Sequence, residues 1–145
     1  MQRRDFHRHL SRSALALALA PWQQVLAAPD TARVWRHSPF ALGVASGRPQ
    51  SDAIMLWTRL LIHDDDRQAI GADPVRVTVE VFADDQLKRR IYQGEVITDA
   101  TRGHAVHAPV RGLQPDRHYW YRFRQGDALS AVGHTRTLPG PNAEV

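Results

Sequence analysis

The sequence contains no cysteine. Disulfide staples and thiolate chemistry are both excluded, so the stability of the chain has to come from a packed core. Long apolar runs are lacking as well. The Ala/Leu stretch from Ala14 to Ala20 is stopped by Pro21, whereas a membrane-crossing helix needs about 20 apolar residues. After Pro21 no segment shows sustained helical spacing. A surplus of positive charge is present only at one end. The 145 residues hold 19 Lys+Arg against 15 Asp+Glu, a net of +4. Residues 1–27 carry four of those arginines and one aspartate, which leaves 15 basic and 14 acidic residues beyond them, a net of +1. That balance offers no electrostatic footprint for nucleic acid. Lys88-Arg89-Arg90, the basic cluster of the later chain, reads as a solvated strand edge or turn.

What is present begins at the N-terminus. Gln2-Arg3-Arg4-Asp5-Phe6-His7-Arg8 resembles the twin-arginine export signal, with the arginine pair and Phe6 intact. His7 replaces the usual Leu and Arg8 the usual Lys. A basic start, a short Ala14–Ala20 core and a small-residue exit at Val25-Leu26-Ala27 complete the pattern. Cleavage is expected after Ala27, with Ala28 as the near alternative. The twin-arginine translocase is then the expected partner during export, and the expected location is periplasmic or secreted, with no stable membrane span.

From Val75 onward the hydrophobic pattern has period two. Val75, Val77, Val79 and Val81 fall on one face of a strand, and Arg76, Thr78, Glu80 and Phe82 on the other. Ala83–Gln86 reads as a turn, Leu87–Tyr92 as the return strand, and Gly94-Glu95 as turn material. Further strands are expected over His104–Val110, His118–Arg124 and Val132–Leu138, with Pro109 marking an edge or a strand end. Upstream, Phe40–Ser46 and Ala53–Arg59 are two more, separated by turn formers over residues 47–52. Both faces of Ala53–Arg59 carry apolar groups, so cover on both sides is expected. About seven short strands in a cysteine-free stretch predict an all-β antiparallel sandwich of immunoglobulin or fibronectin type III type. Leu113-x-Pro115-x-x-x-Tyr119-x-Tyr121 fits a tyrosine corner, in which the phenol bonds back to upstream backbone. Trp57, Leu113, Pro115, Tyr119 and Tyr121 are accordingly assigned to the structural core.

Several motifs together resemble a known family. Phe40-Ala41-Leu42-Gly43-Val44-Ala45-Ser46-Gly47, Leu56-Trp57-Thr58-Arg59-Leu60, Gly112-Leu113-Gln114-Pro115, Tyr119-Trp120-Tyr121-Arg122-Phe123 and Gly133-His134-Thr135-Arg136-Thr137 are similar to the N-terminal domain of PhoD-like alkaline phosphatases. Arg48 stands where that family usually has Asp. The resemblance implies an organisation of 1–27 signal peptide, 28–39 linker, 40–139 sandwich and 140–145 linker toward a metallophosphatase catalytic domain. That larger domain would supply ligands to calcium and iron in the full enzyme, which hydrolyses phosphomonoesters and phosphodiesters. None of its metal-ligand motifs occurs before Val145, so no catalytic residue and no metal ligand is carried over. The expectation is an accessory domain that is inactive alone. The alternative is a free-standing exported binding module.

Local candidates for independent chemistry are weak. His63-Asp64-Asp65-Asp66 gathers an imidazole and three carboxylates, but adjacent residues do not converge on one ion without a tightly folded loop; a solvated loop is expected. His104 and His107 are three apart, and on a strand they point to opposite faces. Ser46, Asp52 and His134 make a nominal triad without supporting context. The doubly apolar strand Ala53–Arg59 and the outward aromatics Phe82 and Trp120 are candidate contact surfaces.

Overall fold

A computed structural model describes residues 33–70 and 73–141. The expected export signal at Arg3, Arg4 and Phe6 and the cleavage positions Ala27 and Ala28 lie outside these residues.

Two antiparallel sheets face each other. The first has β1 (Val44–Gly47), β2 (Ala53–Arg59) and β5 (Ala105–Arg111) in the order β1-β2-β5. The second has β3 (Val75–Phe82), β4 (Arg90–Thr98), β6 (His118–Gln125) and β7 (Ala128–Leu129) in the order β4-β3-β6-β7, with β8 (Gly133–Arg136) pairing another stretch of β6. This is an all-β sandwich with the strand order of a fibronectin type III domain. Its core is built by alternation. Ile54, Leu56, Val106, Ala108 and Val110 point inward from the first sheet. They meet Val75, Val77, Val79, Val81, Tyr119, Tyr121 and Phe123 from the second. Buried hydroxyls are satisfied, as buried polar groups require: Thr58 Oγ1 donates to the Gly43 carbonyl and Thr98 Oγ1 to that of Ala105, both at 2.7 Å.

The tyrosine corner forms. The Tyr119 hydroxyl accepts from the Gln114 amide at 2.8 Å and donates to its carbonyl at 3.4 Å, while Thr137 Oγ1 donates to the same carbonyl at 2.7 Å. Leu113 and Tyr121 are buried beside it. Two residues assigned to the core are elsewhere. Trp57 is 44% exposed, because β2 turns Ile54, Leu56 and Thr58 inward and its odd-numbered residues outward. Pro115 lies exposed in the β5–β6 connection.

The return strand also differs from expectation. It runs over Arg90–Thr98, so Gly94 and Glu95 are mid-strand, opposite Val79 and Thr78, and not a turn. Gly94 sits under the Tyr92 ring, where a Cβ would lie 2.5 Å from the phenol oxygen. A seven-residue helix, α1 (Asp64–Ile70), occupies what reads as a solvated loop in the sequence. It is too short for amphipathic periodicity to register. Residues 33–39, expected within a linker, are pinned to the sandwich. The Trp35 amide donates to Asp127 Oδ1 and its indole to Gln125, while the Arg36 and His37 amides donate to Asp66.

Candidate functional site

The outer faces of the two sheets differ in chemistry. That of the second sheet is organised around one carboxylate, with Ile91 and Ile97 exposed on the edge strand β4. Glu80 is 2% exposed although it faces away from the core. Arg90 Nη1 and Arg122 Nε each donate to it at 2.7 Å, and Arg124 Nη2 lies 3.5 Å away. Burial pushes the Glu80 carboxyl up. The hydrogen bonds from Arg122 and Arg90, with the charges of Arg122 and Arg124, outweigh burial and hold it below its ordinary value. The Arg122 guanidinium also lies 5.3 Å over the Phe82 ring centroid, within cation–π range. Phe82 is thereby covered and only 3% exposed, so it is not the outward contact aromatic the alternation suggests.

The outer face of the first sheet carries an apolar strip bordered by Arg59, His107 and Arg111, and it is uncovered among the described residues. Trp57 is paired with Ala45 on one side and His107 on the other, and Met55 with Gly47 and Pro109. Small neighbours on β1 leave the Trp57 ring standing proud of its strand. Cover on both sides of β2, expected from its composition, is met only on the core side. Arg59 borders the patch and is held by Nε donating to the Gly103 carbonyl at 2.9 Å.

The candidate catalytic and metal-binding groups do not assemble. In the segment His63–Asp66, the Asp66 carboxylate turns inward to accept from the Arg36 and His37 amides at 3.1 and 3.3 Å, with His37 Nδ1 at 3.5 Å. Asp64 pairs with Arg67 instead. Burial works against ionisation of Asp66, but the bonds from Arg36 and His37 prevail and its pKa is lowered. It is an anchor for the strap ahead of β1. His107 faces outward beside Trp57, while His104 precedes β5 in a left-handed conformation, φ 56°. Burial lowers the His104 pKa, against the raising effect of Asp99. Ser46 bonds the Tyr121 hydroxyl, whose pKa burial raises, whereas His134 lies on the opposite sheet and bonds His118. The nominal triad of Ser46, Asp52 and His134 is therefore split between two sheets. Among the described residues no group of three or more His, Asp or Glu converges as a metal site. Among the described residues the sandwich offers no such set of donors for calcium or iron.

Comparison with known proteins gives a consistent picture. The family described as PhoD-like phosphatase, N-terminal domain, matches residues 25–139. Alkaline phosphatase D of Bacillus subtilis (strain 168) is 39% identical over 122 residues, covering 84% of this chain and 20% of its own length. A solved structure of PhoD superposes with a TM-score of 0.70 at 39% identity, over 77% of this chain and 22% of that one. The sensor domain of the anti-sigma factor RsgI4 from Pseudobacteroides cellulosolvens shares the fold alone, with a TM-score of 0.53 at 7% identity, covering 68% of this chain and 93% of its own. The chain thus spans about one fifth of the phosphatases it matches.

Proposed function

The chain belongs to the PhoD-like phosphatase family as its N-terminal domain, and we propose that it serves as the accessory sandwich of an exported phosphoesterase. In this reading the domain performs no hydrolysis itself. It packs in cis against a metallophosphatase domain, where calcium and iron and the hydrolysis of phosphomonoesters and phosphodiesters belong. The twin-arginine signal, with Arg3, Arg4 and Phe6, would carry the folded protein across the membrane to the periplasm or beyond.

The single observation that carries the reading is the outer face of the β1-β2-β5 sheet. Exposed Trp57 lies between Ala45 and His107, with Met55 between Gly47 and Pro109 two residues along, an aromatic anchor on a largely apolar strip. Aromatic anchors of this kind dominate the energetics of protein interfaces. On the opposite outer face arginines gather around Glu80, and the exposed apolar side chains there, Ile91 and Ile97, lie on the edge strand β4.

Two measurements test the proposal. The purified chain is expected to leave a chromogenic phosphodiester intact with or without added calcium and iron; metal-dependent turnover that survives repurification would overturn it. In a chimera carrying this sandwich in place of that of B. subtilis alkaline phosphatase D, Trp57→Asp is expected to abolish soluble, active enzyme. An unchanged yield and activity would show that the Trp57 face is not the contact.

A further inference from the structure

At the end of the sandwich where β6 begins, a cleft of about 520 Å³ is lined by Arg89, Arg117, His118, Trp120 and the Gln114–Asp116 connection. That volume lies within the range of small-molecule sites. Its charge is one-sided. Neither the Arg89 nor the Arg117 guanidinium has an ion-pair partner among the described residues. Two carboxylates lie nearby, and both are engaged. Asp116 is paired with Arg136. Asp84 is close enough to feel the Arg89 charge, but its oxygens accept from the amides of Lys88 and Arg89 at 3.0 and 2.7 Å.

The walls are held by backbone. Ala83 N–H donates to the Arg89 carbonyl at 3.0 Å, closing the β3–β4 turn. The Arg117 amide donates to Thr137 Oγ1 and its carbonyl accepts from the Thr137 amide, at 3.1 and 3.0 Å. Both arginines therefore project from fixed points.

A histidine pair borders the cleft. His118 Nδ1 and His134 Nε2 are 2.9 Å apart, and the ring planes differ by 7°. At that separation one nitrogen carries the hydrogen and the other accepts it. Whichever ring donates, the bond fixes the His118 ring, which lines the cleft. Trp120, 5.1 Å from the His134 ring, supplies a flat apolar wall.

We propose that this cleft binds a phosphate group, free or as a small ester, through the Arg89 and Arg117 guanidiniums beside the His118 ring. Two unpaired guanidiniums lining one cleft suit a dianionic oxyanion, because guanidinium donors match phosphate oxygens in pairs. Trp120 favours a ligand whose phosphate carries an aromatic or other flat substituent. The inference stands apart from the accessory-domain reading, since it concerns binding by this chain alone.

The test is an NMR titration of the chain with inorganic phosphate and, separately, phenyl phosphate, with sodium chloride holding ionic strength constant. Saturable shifts are expected at Arg89, Arg117, His118 and the Trp120 indole, with phenyl phosphate binding more tightly than phosphate. Arg117→Gln and Arg89→Gln are each expected to weaken binding about tenfold, the loss of one charge-assisted bond. Both side chains are exposed, so the Tyr119 and Tyr121 resonances should stay native in each variant. Equal affinity for the two ligands would assign the site to free phosphate and remove Trp120 from it. Absence of saturation would overturn the proposal. So would shifts spread over Arg76, Arg122, Arg124 and Arg136 and insensitive to both substitutions.

Discussion

Replacing Glu80 by Ala removes the carboxylate on which three arginines converge, and its cost can be worked from the geometry. Two of the contacts are charge-assisted hydrogen bonds at 2.7 Å, a class worth about 1.5–3 kcal/mol each. Against this stands the cost of keeping a carboxylate almost fully buried, which the variant no longer bears. Arg90 and Arg124 are about half exposed and rehydrate when the carboxylate goes. Arg122 is 22% exposed and stacked over Phe82, so it stays in place. The net loss expected for Glu80→Ala is about 2–4 kcal/mol, with about half of that for Glu80→Gln, which keeps one acceptor. For a domain of this size that lowers Tm by on the order of 10 °C or more. Urea unfolding followed by tryptophan fluorescence reads it directly. The acid dependence has a definite sign. A carboxyl held below its ordinary pKa contributes stability above its unfolded value and loses it as pH falls through the folded one. The gap between the parent chain and Glu80→Gln should therefore be full at neutral pH and close below about pH 4.3. A Glu80→Ala variant within 0.5 kcal/mol of the parent (about the scatter of ordinary surface substitutions) would refute the reasoning, since desolvation would then cancel the arginine bonds.

Gly133 lies under the Tyr121 ring, where a Cβ would stand 2.2 Å from a buried aromatic carbon. Gly133→Ala is expected to cost about 1–3 kcal/mol by overpacking, whereas Gly47→Ala, with open space at that position, should be near neutral in the same urea assay. Tyr119→Phe removes the corner hydroxyl and leaves the Gln114 amide without that partner, a loss of about 1 kcal/mol in thermal unfolding. Trp57→Ser in the chain alone should leave Tm within a degree or two, because the ring is not part of the core; a large drop would return Trp57 to a structural role.

The parts legible in the sequence are those governed by local alternation. Val75 to Val81 announce both their strand and its buried face, and Tyr119, Tyr121 and Phe123 do the same for β6. The tyrosine corner is readable because its spacing is short and fixed by backbone geometry. Reading failed where the deciding partner is distant in sequence. Glu80 among valines looks like a solvated position; the arginines that bury it are 10, 42 and 44 residues away. Phe82 looks outward for the same reason, until Arg122 covers it. Gly94-Glu95 has turn composition, and only the Tyr92 ring explains a glycine in mid-strand. Trp57 shows a different limit. When both faces of a strand are apolar, period two places residues on opposite sides without saying which side is the core. The phosphate cleft was not legible at all, since it joins the β3–β4 turn to the start of β6 across the sheet edge.

The strap at Trp35 couples one of the earliest described residues to some of the latest. Its amide and indole bond Asp127 and Gln125, some 90 positions along the chain. During synthesis those partners emerge long after the strap itself, and such non-local contacts form late. Trp35 can therefore seat only once β6 and its following turn are in place. A chain lacking residues 125–127 would lose the Trp35 anchors while the Arg36 and His37 amides stay bound to Asp66. Only the finished sandwich holds the strap at both points, Asp66 early in the chain and Gln125 with Asp127 late in it.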